Sequence, residues 1–385
     1  MTPRTKSMYY DVIVAGGSVA GLLCAREIAR EKNSVLVIEE DYEIGTPEHC
    51  GGLVSIKGLE KLGIIPFSKT LNHFIESATI YAPNGNSFSI NSEKQKVVEI
   101  SRRGLDKQIA YQAQKNGAVI RVKTSFQELT KDGVRTNDGE IKCKIFVDAR
   151  GISSLIHKDR EGIISSAQYE VYAEWIKKGK VEIFFDQEKY PEFFAWIIPS
   201  GEGKGKVGVA GKGANVSDIL EKFLESKGRF SIIRKIFAPI WIKGPLKKFV
   251  EKNTVIVGDA AGQAKPTTSG GIYTSGMGGL LAGKAISKYL KSNNESDLEK
   301  YQKQWTKHFG EEFEKQLLAR KFLGRINNDT INKLFNSITP EIITEISQKE
   351  DFDFHTGSII KLLGVKGSVK TAQIIIEGEF KKLLR

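Results

Sequence analysis

The stretch YYDVIVAGGSVAG, residues 9–21, decides the fold of this chain. Its opening residues are mostly apolar β-formers and predict a buried strand, which ends in a turn at Gly16–Gly21 before residues 22–30 predict a helix. A second apolar run at 34–38 ends in two glutamates. Strand, turn, helix and strand form the βαβ unit that opens a Rossmann-like sheet, so the sequence predicts an α/β fold.

The turn itself has the residues of a dinucleotide site. Gly16, Ser18 and Gly21 occupy the glycine positions of a GxGxxG pattern, with Val19 and Ala20 between the last two. The first glycine permits a tight turn, a small residue at 18 lets backbone approach a pyrophosphate, and the helix N-terminus attracts negative charge. We therefore predict that these five residues bind a dinucleotide, although a structural glycine turn is the alternative.

The two glutamates after the second strand extend this prediction. Glu39 and Glu40 follow the first glycine by about 20 residues, the spacing at which a carboxylate accepts hydrogen bonds from ribose hydroxyls. Both residues are therefore predicted to contact the cofactor.

Two further glycine loops lie far downstream. GDAAG at 258–262 follows the apolar run TVIV, and PTTSGGI at 266–272 opens a glycine-bearing helix. The aspartate of GDAAG can hold a ribityl chain or simply cap a helix. The backbone amides of PTTSGGI can stabilise negative charge on a reduced flavin. Together with the first turn, the loops predict one extended FAD. The predicted contacts in this region are Gly258, Asp259, Gly270, Gly271 and Ile272.

The central part of the chain has a different pattern. Short alternating runs between residues 169 and 210, separated by charged or glycine turns, predict an antiparallel sheet. From residue 295 onward the pattern is that of amphipathic helices. We therefore predict a discontinuous FAD-binding domain, an antiparallel-sheet substrate domain and a C-terminal helical cap. Their predicted bounds are 1–70, 96–160 and 245–290 for the first domain, 71–95 and 161–244 for the second, and 291–385 for the cap.

The composition limits the class of protein. With 385 residues, of which 40% are hydrophobic, the chain can build two or three lobes, and its 38 glycines suit a backbone that approaches a ligand closely. The cysteines Cys24, Cys50 and Cys143 form no disulfide framework and no metal pair. No apolar run of membrane-spanning length or export signal occurs. We expect a cytoplasmic protein without a metal site.

The ordered motifs together resemble the p-hydroxybenzoate hydroxylase-type flavoproteins and, within them, the geranylgeranyl reductase family. The resemblance covers about residues 9–290, and Ser18 replaces a glycine of the usual motif. The motifs that carry it are GGSVAG, Glu39, EHCGGLVS at 48–55, RRGLD at 102–106, DARGISS at 148–154, FAWIIP at 194–199, GDAAG and PTTSGGI.

The resemblance implies an FAD-dependent enzyme that reduces isolated carbon-carbon double bonds in polyprenyl chains, in ether-lipid or isoprenoid biosynthesis. An unactivated alkene accepts hydride poorly, so hydride transfer needs protonation of the other alkene carbon. The resemblance brings Cys50 and Gly51 near the flavin ring, with Cys50 as a candidate catalytic residue. A free cysteine is otherwise a small buried hydrophobe.

The resemblance also implies roles for residues outside the glycine loops. It brings Arg102 near the FAD phosphates, although an ordinary surface arginine is the alternative. It makes Phe194, Trp196 and Pro199 candidates for contact with the substrate. Aromatic residues at strand spacing are equally typical of an ordinary core.

The basic charge of the chain favours acidic partners. A formal net charge of +12 can steer an acidic ferredoxin to the protein or hold it at the inner face of an anionic membrane. Because no second GxGxxG unit is present, both reduced ferredoxin and NAD(P)H remain candidate electron donors. No basic stripe with stacking aromatics occurs, so no nucleic-acid partner is predicted.

Two other functions compete with the reductase. An FAD-dependent aromatic monooxygenase or halogenase can use the same scaffold. A noncatalytic flavin-binding or RNA-associated protein is a third hypothesis, supported only by the charge.

Overall fold

The computed structural model describes residues 9–156, 159–349 and 352–354. In chain order the strands are β1 Tyr9–Ala15, β2 Val35–Ile38, β3 Leu53–Ser55, β4 Leu71–Phe74, β5 Ser77–Tyr81, β6 Ser87–Asn91, β7 Val97–Ile100, β8 Val119–Arg121, β9 Phe126–Leu129, β10 Gly133–Thr136, β11 Gly139–Asp148, β12 Ile163–Tyr172, β13 Lys180–Phe184, β14 Ala195–Gly201, β15 Lys204–Gly211, β16 Ser231–Trp241, β17 Val250–Glu251 and β18 Thr254–Ile256. The α-helices are α1 Val19–Arg30, α2 Ile56–Lys61, α3 Arg102–Lys115, α4 Ser153–Ile156, α5 Val216–Lys227, α6 Ile272–Ser292, α7 Ser296–Leu323, α8 Asn328–Asn336 and α9 Pro340–Lys349.

The first sheet is the Rossmann-like sheet predicted from the sequence. Its main path runs β17-β18-β11-β1-β2-β8, and β9 and β10 extend it as an antiparallel hairpin beside β11. Strands β8, β2, β1, β11 and β18 are parallel, so their carboxyl ends lie at one edge. That edge brings together the glycine turn after β1, Glu39 after β2 and Gly258 after β18. Ligands of such sheets bind outside the carboxyl ends of the strands.

Helix α6 packs against α1 because glycines remove side chains from their interface. A Cβ atom on Gly279 would lie 2.0 Å from the carbonyl oxygen of Ala20, and one on Gly283 would lie 2.6 Å from that of Cys24. Helix α7 covers this pair with the buried rings of Tyr301 and Trp305. The two glycine loops that precede α1 and α6 are thereby held side by side.

The second sheet is mainly antiparallel and has the order β16-β12-β15-β14-β13-β5-β6, with one parallel pair between β13 and β5. One face packs against α5 through buried residues such as Tyr169 and Leu220. The opposite face lines a large cavity. The α/β fold class with an antiparallel sheet and C-terminal helices is therefore confirmed, whereas the exact domain bounds stay a prediction.

Smaller elements join these layers. Strands β3, β7 and β4 form a three-stranded antiparallel sheet between the two large ones. Helices α8 and α9 lie beside the β5–β6 hairpin. The backbone N–H of Asn84 donates to Asn332 Oδ1 at 3.1 Å, and the backbone N–H of Asn91 donates to Ser347 Oγ at 3.2 Å. The C-terminal helices thus close one end of the second sheet. Among the described residues, no helix is long and apolar enough to span a membrane.

Candidate functional site

A cavity of about 1210 Å³ lies between the carboxyl edge of the first sheet and the inner face of the second. Its walls include the glycine turn at 16–21, the loop at 45–53, the 264–272 loop and residues of α7, α8 and α9. One end is rich in glycine and charged groups, and the other is formed by aliphatic and aromatic side chains. The cavity therefore joins a polar cradle to an apolar compartment.

The glycine turn can hold only glycine at two of its positions. Gly16 has a φ of +113°, and a Cβ atom there would lie 2.2 Å from the carbonyl oxygen of Ala149. A Cβ on Gly21 would lie 2.1 Å from the carbonyl oxygen of Gly16. Ser18 is the N-cap residue of α1, yet its side chain makes no capping hydrogen bond. The first N–H groups of α1 therefore face the cavity as an anion site.

Glu39 lies beside this turn at the end of β2. Its Oε2 atom accepts a hydrogen bond from the backbone N–H of Gly17 at 2.7 Å, and Oε1 accepts one from Asp41 at 3.0 Å. Burial raises the pKa of the Glu39 carboxyl. Glu40 also lines the cavity but is exposed to solvent. Val19 and Ala20, the remaining residues predicted for the turn, line the cavity as well.

Arg102 supplies a positive charge beside the turn. Its Nη2 atom donates to Ser18 Oγ at 3.0 Å and to Asp106 Oδ1 at 3.1 Å. Burial opposes the charge of this guanidinium, but the Asp106 carboxylate outweighs burial and raises the pKa of Arg102. Its Nε atom is buried and has no hydrogen-bond partner among the described residues. A buried donor without a partner costs about 1–3 kcal/mol, which an anionic phosphate would offset.

The second glycine region forms the other wall of the cradle. Gly258 has a φ of +69°, and the Asp259 carboxylate, which lines the cavity, accepts a hydrogen bond from Ser275 Oγ at 3.0 Å. Burial raises the pKa of Asp259. Gly271 is the N-cap residue of the 21-residue helix α6, and it lines the cavity together with Gly270 and Ile272. The donors, the anion site and the glycine walls fit an extended FAD.

Cys50 lies in the loop that faces both glycine regions. Its side chain is half-buried and lines the cavity, and Sγ accepts a hydrogen bond from the backbone N–H of Gly52 at 3.4 Å. A Cβ on Gly51 would lie 2.5 Å from Cδ1 of Ile198, so the loop lies directly against β14 of the second sheet. The structure therefore brings the predicted cysteine to the boundary between the cradle and the apolar compartment.

A buried ion cluster beneath this loop was not predicted. The Nζ atom of Lys206 donates to Glu48 Oε1 at 2.9 Å, to Glu99 Oε1 at 3.1 Å and to the carbonyl oxygen of Gly51 at 3.4 Å. Burial opposes the charges, but the two carboxylates raise the pKa of Lys206, and Lys206 in turn lowers the pKa of Glu48. Burial raises the pKa of Glu99. The sequence signal is Lys206, which interrupts the stretch GKVGVAG, whose other residues are glycine, valine and alanine.

The three residues predicted for substrate contact, Phe194, Trp196 and Pro199, do not all face the cavity. Phe194 and Trp196 line the cavity, and the Trp196 indole N–H donates to Gln168 Oε1 at 3.1 Å. A Cβ on Gly208 would lie 2.3 Å from the Trp196 ring, so the ring lies across the backbone of β15. Pro199 is buried in β14 and does not line this cavity, because alternate residues of a strand face opposite sides. The substrate contact predicted for Pro199 is therefore not supported.

The apolar compartment extends beneath the C-terminal helices. The family resemblance ends at about residue 290, yet α7, α8 and α9 supply much of this wall. The side chains from these helices are Ala319, Phe322, Leu323, Ile331, Leu334, Phe335 and Ile346. Facing them, the second sheet supplies Ile80, Phe88, Ile90, Val181, Ile183 and Phe185. The compartment suits a long hydrocarbon chain.

Similar proteins agree with this description. The chain is 31% identical to a digeranylgeranylglycerophospholipid reductase of Methanocaldococcus jannaschii over 356 residues, which cover 86% of this chain and 90% of that protein. It superposes with a TM-score of 0.84 on a geranylgeranyl bacteriochlorophyll reductase-like structure from Thermoplasma acidophilum, with 23% identity over 95% of this chain and 98% of the other. The flavin-dependent brominase Bmp2 superposes with a TM-score of 0.64 and 15% identity, over 98% of this chain and 99% of the brominase. No family model matches.

The fold, the glycine cradle and the reductase relatives thus define an FAD-dependent oxidoreductase that combines a Rossmann-like sheet with a second, mainly antiparallel sheet. Within that class, the chain belongs to the geranylgeranyl reductase family.

Proposed function

We propose that this enzyme reduces carbon-carbon double bonds of polyprenyl chains in ether-lipid or isoprenoid biosynthesis. The observation that carries the proposal is the continuity of the cavity, in which the FAD cradle opens directly into an apolar compartment. The reductase relatives act on digeranylgeranylglycerophospholipid by name, and a compartment of aliphatic and aromatic walls suits such chains.

Different residues of the cavity would bind different parts of FAD. The turn residues Gly16, Ser18, Val19, Ala20 and Gly21 would hold the pyrophosphate of FAD, with Arg102 supplying positive charge. Glu39 would hold the ribose, with Glu40 beside it. The loop at 258–272 would hold the ribityl and pyrimidine parts through the predicted residues Gly258, Asp259, Gly270, Gly271 and Ile272. FAD, when bound, supplies the hydride.

The remaining groups act on the substrate. Phe194 and Trp196 would pack against the alkene and exclude water. Cys50, beside Gly51, is positioned to deliver or relay the proton that the second alkene carbon requires. Lys206 would act as a positioning residue, because its contact with the Gly51 carbonyl oxygen joins the cysteine loop to the second sheet.

The proposal also covers the electron donor and the place of the enzyme in the cell. The net charge of +12 favours an acidic ferredoxin over NAD(P)H and favours contact with an anionic membrane surface. If the donor is ferredoxin, its advantage over NADPH will decrease as salt is added, because salt screens electrostatic steering. A preference for NADPH that salt does not change would contradict this choice of donor.

A product assay tests the function. The protein is incubated with a geranylgeranyl glycerolipid and a chemical reductant, and the products are analysed by mass spectrometry. Products that gain pairs of hydrogen atoms support reduction. Oxygen uptake coupled to a hydroxylated or halogenated product would support the monooxygenase or halogenase alternative, whose scaffold the brominase shares.

A further inference from the structure

A buried arginine lines the cavity away from the dinucleotide turn. Arg320, on α7, is 7% exposed, and its Nη1 atom donates to the carbonyl oxygen of Pro266 at 3.2 Å. Its guanidinium also lies 5.7 Å from the ring centre of Phe193. The Nη2 atom is buried and has no hydrogen-bond partner among the described residues. Arg320 is thus a buried cation with an unused donor in a cavity wall.

The surroundings of Arg320 only partly balance its charge. The nearest carboxylate, Glu192 Oε2, lies 3.7 Å from Nη2, which is within ion-pair range but makes no hydrogen bond. The same carboxylate also pairs with Lys212 at 3.2 Å. Lys265, 5% exposed, adds a second buried cation to the cavity wall next to Pro266. Burial lowers the pKa of Arg320 to about 10, and Glu192 offsets this only in part.

The position of the unused donor points to the substrate rather than to the FAD phosphates. For those phosphates the turn of α1 and Arg102 would form a separate cradle. Arg320 instead contacts Pro266, at the start of the PTTSGGI loop, and Phe193, which stacks on the substrate-side ring of Phe194 at 4.3 Å between centroids. Planar guanidinium groups bind phosphate oxygens through paired donors.

We propose that Arg320 binds the phosphate group of the polyprenyl substrate inside the cavity. The inference rests on the proposed function and adds to it the residue that holds the phosphate, whether this group belongs to a prenyl glycerophospholipid or to a prenyl diphosphate. With the phosphate at Arg320, the hydrocarbon chain is buried in the apolar compartment, which the C-terminal helices close.

Equilibrium binding tests this site without relying on turnover. The oxidised holoenzyme is titrated with digeranylgeranylglyceryl phosphate, geranylgeranyl diphosphate or geranylgeraniol, while the visible spectrum of the flavin reports binding. Arg320→Gln should weaken binding of the phosphorylated probes about 10- to 100-fold, because a hydrogen bond to a charged group contributes about 1.5–3 kcal/mol. Binding of the uncharged alcohol should change little, and Arg320→Lys should be intermediate.

Lys321→Gln is the matched control, because Lys321 is the next residue of α7, carries the same charge and is exposed. It should leave binding of all three probes unchanged. A loss confined to one phosphorylated probe supports the site and identifies which source fills it. Equal losses for the alcohol and the phosphorylated probes, or no loss with either Arg320 variant, would overturn the inference while leaving the reductase function intact. Absence of binding by the unaltered protein to every probe would instead contradict the proposed function.

Discussion

The ammonium of Lys206 donates a hydrogen bond to Oε1 of Glu99 at 3.1 Å, and both residues are buried. They come from different sheets, since Lys206 lies in β15 and Glu99 in β7. The pair therefore fixes the second sheet against the three-stranded sheet, directly below the loop that carries Cys50. Because Lys206 also contacts the carbonyl oxygen of Gly51, the position of the cysteine loop depends on this pair.

Replacement of Lys206 by methionine should strongly destabilise the protein. The change leaves the Glu99 carboxylate buried without its cation, and breaking such a pair costs about 3–5 kcal/mol. The free energy of unfolding from urea denaturation measures the loss. Lys222→Met is the control, because the Lys222–Asp218 pair is exposed and should contribute about 1 kcal/mol or less. Equal losses for the two variants would contradict the structural role of the cluster.

Replacement of Cys50 by alanine should slow turnover while FAD stays bound. If the thiol delivers or relays the proton, its removal should lower kcat by about 100-fold, the lower range for general acid catalysis. Cys143→Ala is the matched control, because Cys143 is half-buried and lies outside the cavity wall. Unchanged turnover of the Cys50 variant would remove the thiol from the mechanism.

Replacement of Glu39 by glutamine should weaken FAD binding. The change removes the charge from the acceptor that would hold the ribose of FAD and that also accepts from the Gly17 amide. A hydrogen bond to a charged group contributes about 1.5–3 kcal/mol, so the Kd for FAD should rise about 10- to 100-fold. Quenching of flavin fluorescence measures the affinity. Glu40→Gln is the control, since Glu40 is exposed and should matter less. A larger effect at Glu40 would reverse the assignment of the ribose contact.

His73 should make the fold sensitive to acid. Both of its ring nitrogens are buried without a partner among the described residues, and burial lowers its pKa below the usual 6.5. As the pH falls through that usual value, the unfolded chain takes up a proton that the folded chain does not, so acid favours unfolding. The corresponding stability is present above that pH and is lost below it.

His73→Leu removes this group and should reduce the loss of stability between about pH 8 and about pH 5. Urea denaturation at the two pH values measures the difference. The loss that remains belongs to other groups such as His49, whose pKa is also lowered by burial. An unchanged pH dependence in the variant would show that His73 does not contribute.

The cofactor cradle was predictable because its signals are local. Each glycine loop follows an apolar strand and precedes a helix, so chain order alone indicated that Gly16 and Gly271 belong to one site. The Lys206 cluster was not predictable in this way. Its pairs join residues 158 and 107 positions apart, and only the packing of the second sheet against the three-stranded sheet and the 45–53 loop brings them together.

Pro199 and strand β16 also differ from what the sequence predicted, and both differences have simple physical causes. Pro199 was selected as part of the FAWIIP motif, although strand alternation turns it away from the side on which Trp196 faces the cavity. Strand β16 was not predicted, because Pro239 and the charged residues break its pattern. The structure accommodates Pro239 because β16 is the edge strand of its sheet, where a missing backbone donor is tolerated.

A single-turnover experiment shows whether the reduced flavin of this protein reduces a prenyl double bond. The protein is reduced chemically, freed of excess reductant and mixed with digeranylgeranylglyceryl phosphate in the absence of oxygen. We expect the flavin absorbance of the oxidised form to return and the lipid to gain one pair of hydrogen atoms per flavin oxidised. A flavin that stays reduced until oxygen is admitted, with the lipid unchanged, would contradict this expectation.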